Sequence, residues 1–283
     1  MATDWITFQD QYQWLLNAAA AGFCAGVSCS LVGVFVVTMH LSFLGVCIAH
    51  AAFAGALMGV WLRFDPLIGA LIFSLAATAV IGPMSERGDL SPDTSIGIVF
   101  SLMLGLAFLF LGLAPGSRTE ALGFFWGSIL TVTGQDLLFL SITALLVAGL
   151  LLLFYKEVQA VVCHREVALS VGIPVTLVFY GMLFATGATI AVSLRSIGGL
   201  LIYSLVLNPA AAAFQLTYSL KRMLVLAAFF GVLSCWAGLA GSYLWDLPAG
   251  ACIVLTSAIV FALATAFSPK KRVKKWEPPP ATD

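Results

Sequence analysis

The sequence predicts an all-α, polytopic membrane helical bundle of about eight or nine transmembrane helices, on three observations. The 283-residue chain is 61% hydrophobic with a mean hydropathy of +1.06, well above the roughly 45–50% apolar content of soluble domains. Its thirteen basic and thirteen acidic residues lie in the breaks between apolar stretches. A charge at the bilayer centre costs at least about 2.5 kcal/mol on insertion scales, so spanning segments exclude it. Finally, apolar runs of 18–24 residues recur along the chain, each long enough for a hydrocarbon core of ~30 Å.

The runs follow in order. Trp14–Val37 is the first, and Leu44–Leu62 ends at Arg63. Pro66–Met84 opens on a proline, which suits a first helical turn. Thr94–Ala114 follows Asp93, expected to cap it by accepting orphan amide hydrogens. Asp136–Tyr155 and Pro174–Leu194 come next. Ile197–Phe214 is interrupted by Asn208-Pro209, expected either to break the helix near a transport path and expose carbonyls or to make a kink that serves only packing. Met223–Trp245 and Ala249–Phe267 complete a count of nine spans. Ala121–Val132 is too short to cross and is expected to be re-entrant or interfacial.

Nine spans put the termini on opposite sides. With the C-terminus inside, the cytoplasmic breaks hold ten Lys/Arg and the outer ones three (Arg63, Arg118, Arg195), so the positive-inside rule predicts N-out, C-in. The expected organisation is an extracytoplasmic N-terminal segment (1–13), a transmembrane domain (14–267) and a basic, Pro-rich cytoplasmic tail (268–283). Gly22-x-x-x-Gly26, Gly55-x-x-x-Gly59 and Ala210–Ala213 mark surfaces where helices approach closely.

Several functions are excluded. No Gly-Lys pair exists, so no P-loop binds nucleotide. The six cysteines show no CxxC spacing, and neither HExxH nor a cluster of intramembrane carboxylates is present. A gradient-driven metal transporter or channel would normally place acidic residues inside the membrane. Apart from Asp136 at the very start of its run, His50 is the single Asp, Glu, Lys, Arg or His within these runs, and an intramembrane ionisable side chain is a functional candidate by default. Cys47, three residues earlier, projects from the same helix face, and imidazole with thiolate suits Zn²⁺ and other borderline ions. His40, near the start of the same helix, completes the metal-path candidates.

The run from Leu31 to Gly55, containing Ser42-Phe-Leu-Gly45-Val-Cys-Ile-Ala-His50-Ala-Ala-Phe-Ala-Gly55, resembles the permease family of zinc/manganese/iron ABC importers. That family typically carries Ser-Phe-(Leu/Ile)-Gly-Asp-Ala-Leu-Ser-His-Ala-x-x-Pro-Gly. Further matches follow in order: Asp93-Thr-Ser-Ile-Gly, Trp126-Gly-Ser-Ile-Leu-Thr131 with Asp136, Arg165-Glu166 to Gly172-Ile-Pro174, Gly199-Leu-Leu to Asn208-Pro209-Ala-Ala, and Leu247-Pro-Ala-Gly250. The likeness covers about residues 14 to 267. Val46 stands where the family has an aspartate, and Ala54 where it has proline. Of the family's metal-path pair, only His50 carries over. Losing a hard oxygen ligand points away from Mn²⁺ and towards Zn²⁺ or a softer ion, or equally towards a conduit that hardly binds metal or a different cargo.

The resemblance implies a type II ABC-importer-like permease in the plasma membrane, without a cofactor of its own, that carries a divalent metal (Zn or Mn). The implied partners are a second permease copy, a separate ABC-type ATPase, an extracytoplasmic metal-binding protein and membrane lipid, with no nucleic acid. It also implies that His164, Arg165, Glu166, Val167, Leu169 and Gly172 form a coupling helix seated in the ATPase. Arg165 and Glu166 would supply pairing and the apolar residues contact. A permease for a metal chelate such as a siderophore or cobalamin is the alternative, disfavoured because such chains are longer, with about ten spans.

Overall fold

The computed structural model describes residues 2–87, 91–113 and 129–272, and every regular element among them is helical. In order these are α1 (Ala2–Thr38), α2 (Leu44–Leu62), α3 (Pro66–Arg87), α4 (Pro92–Leu113), a 3₁₀ turn (Ile129–Thr131), α5 (Gly134–Leu153), α6 (Tyr155–Cys163), α7 (Arg165–Ser170), α8 (Val175–Ile197), α9 (Gly199–Leu216), α10 (Leu220–Trp245), α11 (Ala249–Ala266) and a 3₁₀ turn at Pro269–Arg272. An all-helical answer is what lipid imposes, since a helix satisfies its own backbone polar groups.

Eight of these helices are long and apolar enough to cross a membrane. The run expected over Ile197–Phe214 is present as α9, starting two residues later. Ile197 belongs to α8, which stops at Gly198 in a positive-φ conformation (φ +86). At 18 residues α9 covers about 27 Å at 1.5 Å per residue, close to a ~30 Å hydrocarbon core. At the other end of the chain, α1 begins at Ala2, so the expected N-terminal segment continues the first span as helix. Most of Ala121–Val132 lies outside the described residues, and Ile129 and Val132 are buried.

α2 is the most enclosed spanning helix, with 72% of its residues buried, whereas α11 has 22% and so lies at the periphery. The small-residue signals mark real contacts. A Cβ on Gly26 or Gly231 would strike the backbone of the facing helix, and so would one on Gly33 or on either of Gly55 and Gly69. α1 thus lies backbone to backbone on α10 and α9, and α2 on α3.

Asn208-Pro209 does not break α9, because the helix runs through both residues. Proline supplies no N–H, which frees the carbonyl four residues earlier. That carbonyl, of Leu205, accepts from the Ser30 hydroxyl of α1 at 3.5 Å. Asn208 Nδ2 donates to Ser257 Oγ of α11 at 2.9 Å. Past α11, Ser268 Oγ donates to the Gln215 carbonyl at 2.8 Å and Lys270 Nζ to that of Phe214. The Lys270 ammonium also lies over the Phe214 and Tyr218 rings. These contacts strap the end of α11 to the C-terminus of α9, where orphan carbonyls attract cations.

Asp93 does not cap α4. Ser91 does, its Oγ accepting from Thr94 N at 3.2 Å, while Asp93 sits exposed in the first turn.

Candidate functional site

His50 lies about 9 Å along α2 from its start, at 1.5 Å per residue. Nδ1 is 2.9 Å from the Val46 carbonyl. A carbonyl only accepts, so Nδ1 carries the proton that this oxygen receives. The imidazole meets Phe100 of α4 edge-on, 5.0 Å between centroids, and Phe100 meets Phe43 edge-on at 6.2 Å. His50 and Val46 are half-buried, one helical turn apart on the same face. This face of α2 is therefore a partly open strip holding a single nitrogen donor between aromatic rings.

Cys47 shares the helix with His50 but is completely buried. His40 sits beyond the helix start, exposed and in the left-handed region (φ 57). The structure therefore brings Cys47 near His50 by sequence alone and leaves His40 apart. Among the described residues no group of three or more His, Cys, Asp or Glu could hold a metal ion. Such a site suits passage better than retention.

The segment between α5 and α8 folds as two short helices that meet at His164. Ala168 is buried with Val161 and Val175, which seats α7 on the bundle. Cys163, His164, Arg165 and Glu166 are exposed, as are the large apolar side chains Val167, Leu169 and Val171. The Arg165 guanidinium lies 5.8 Å from the centre of the Phe179 ring. Gly172 follows at φ +84, where glycine permits the turn into Pro174 and α8.

A second polar cluster forms where α2, α3, α5 and α8 meet. Arg195, in the last turn of α8, places Nε 3.0 Å from Asp136 Oδ1 and Nη1 3.6 Å from Asp65 Oδ1. Asp136 closes a capping box on α5: Oδ2 accepts from Thr133 N at 3.1 Å and Thr133 Oγ1 at 2.6 Å. Asp65 accepts from Leu67 N at 2.8 Å at the start of α3. Arg195 and Asp136 thus lie in the end turns of spanning helices, so His50 is not alone there. Mutual pairing makes their place tolerable. Sequence reasoning missed this trio as it missed Phe100; the Thr133-x-x-Asp136 capping pattern was the available signal.

Residues 11–268 match the ABC 3 transport family. The chain belongs to that family. It is 31% identical over 261 residues to the manganese transport system membrane protein MntC of Listeria monocytogenes, covering 92% of this chain and 93% of that protein. It is 27% identical over 253 residues to the high-affinity zinc uptake system membrane protein ZnuB of Haemophilus influenzae, covering 89% and 97%. Its fold resembles that of PsaBC from Streptococcus pneumoniae, solved in complex with a Fab, with a TM-score of 0.83 and 28% identity, covering 96% of this chain and 98% of that one. As an ABC 3 family chain it is a multi-span permease subunit of the plasma membrane and not itself a catalytic enzyme. The expected all-α permease architecture is borne out, and so is the family resemblance.

Proposed function

We propose that this chain forms, as a dimer, the translocation path of an ATP-driven importer for a divalent metal, with zinc preferred over manganese. A separate ABC-type ATPase supplies the power, and an extracytoplasmic metal-binding protein delivers the cargo. The chain lies N-out and C-in, so the Asp65 turn is extracytoplasmic and α6–α7 face the ATPase. The distribution of Lys and Arg supports that orientation. One observation carries the reading: the partly exposed His50 on α2, its imidazole anchored through Nδ1 to the Val46 carbonyl and set edge-on to Phe100. A neutral imidazole suits zinc, whereas manganese favours oxygen ligands. With Val46 one turn away, the strip offers no carboxylate of its own. The relatives named for manganese and for zinc support metal as cargo.

Cys47, being buried, serves as packing, and His40 stands at the cytoplasmic entry to α2. Val167 and Leu169 supply the apolar contact of a coupling helix, flanked by His164, Arg165 and Glu166, with Gly172 allowing the exit turn. Asn208 and Pro209 act on the path through the α9–α11 contact.

The test is uptake by proteoliposomes holding the permease, its ATPase and its binding protein. Zinc uptake that needs ATP and falls at least about tenfold in His50→Ala, a loss of transport worth roughly 1.4 kcal/mol or more, supports the reading. Unchanged zinc and manganese uptake in that variant removes His50 from the path. Flux from the permease alone, driven by a gradient, overturns the importer assignment.

A further inference from the structure

We propose that Arg195 is the fixed post of a latch at the outer mouth, and that Asp65 is the arm that releases the α2–α3 hairpin from α8. The two carboxylates on the guanidinium are held very differently. Asp136 is buried, pairs at 3.0 Å, and uses its second oxygen to cap α5. The cap fixes the Asp136 side chain, so its other oxygen stays presented to Arg195. Asp65 is half exposed and pairs at 3.6 Å. Its oxygen keeps the Leu67 N–H when the arginine leaves, and water reaches the rest, so this arm opens at little cost.

The packing beneath the arm agrees. The outer seam between hairpin and α8 leaves a small void, about one water in size, among buried side chains: Ala56, Leu67 and Ala70 on one side and Ala191 and Leu194 on the other. Deeper in, the same seam is tight, because a Cβ on Gly82 would strike the Tyr180 ring and one on Gly187 would press on Thr78. Backbone contact between Gly55 and Gly69 binds α2 and α3 into one leaf. That leaf carries His50. A seam closed at depth and loose at its rim, with one exposed ion pair across the rim, swings from the inner contacts when the pair parts. The inference rests on the transport reading only for calling this end the outer mouth.

The experiment needs neither metal nor ATP, so its failure is distinct from failure of the transport reading. Ala56→Cys is introduced into the full chain in nanodiscs, and a bulky polar maleimide is followed at residue 56 by peptide mass spectrometry. Asp65→Asn, which keeps the oxygen that caps α3, is expected to raise the labelling rate roughly two- to fivefold, the range of an exposed ion pair, with no change in melting temperature. Raising salt from about 50 to about 500 mM, which shortens the screening length well below 10 Å, is expected to speed labelling of the parent but not of Asp65→Asn. Should Ala56→Cys fail to fold, Ala191→Cys on the opposite wall reports the same opening. Equal labelling with and without the Asp65 charge, or an equal salt response in both, overturns the latch.

Discussion

The two ends of the bundle use charge in opposite ways. At the Asp65 end, Arg195, Asp136 and Asp65 turn towards one another and tie the ends of α2, α3, α5 and α8 together. At the His40 end, Arg165, Glu166, Lys221 and Arg222 are exposed, and exposed Val167, Leu169 and Val171 lie beside the first two. There the structural tie is the Ser268–Lys270 strap, made to backbone carbonyls. One end holds its own helices in register through side chains. The other keeps side chains on display and closes itself through main chain, the pattern that the proposed coupling surface would need.

The contrast is sharpest at Asp136. Asp136→Ala removes a buried ion-pair partner and a helix cap together, and is expected to cost about 3 kcal/mol of stability, seen as a marked fall in melting temperature in detergent. Glu166→Ala, at the displayed end, is expected to leave that temperature within error. Equal falls for the two would erase the distinction. Next in size is Leu169→Asp. On the proposed coupling role it weakens co-purification of the ATPase at least about tenfold, the effect of losing a contact worth about 1.4 kcal/mol, while the permease melts as before. A variant that melts early instead would make Leu169 a folding residue. The smallest effect separates two neighbours on α4: Ser91→Ala is expected to cost about 1 kcal/mol as a lost cap, and Asp93→Asn only a few tenths through the helix dipole. Circular dichroism melts of both variants in one detergent would resolve them.

These residues also show what was legible in the chain. The spans could be read because charge exclusion acts on every residue independently, needing no knowledge of partners. Gly-x-x-x-Gly spacing was legible for a similar reason, since a backbone contact needs a small residue wherever it occurs. Ser91 was readable too. Pro92 favours the first helical position, which puts the preceding serine at the cap, and the nearby carboxylate drew attention away from it. The Arg195 cluster was not legible, because its members come from three separate helix ends and only folding joins them. His50 stood out as an ionisable residue in an apolar run, but its committed Nδ1 and its Phe100 neighbour are tertiary facts. Only the start of the Ile197–Phe214 run was misplaced, by a local conformation, the positive-φ turn at Gly198, which hydropathy does not register.

A proline in mid-helix usually leaves a main-chain oxygen thirsty in oil, and the helix stiffens or kinks to hide it. In α9 that oxygen drinks from the hydroxyl of a different helix, Ser30 on α1. The oxygen that Pro209 releases is thus met from across the α1–α9 contact, just where Gly33 lets the two backbones approach at Val206.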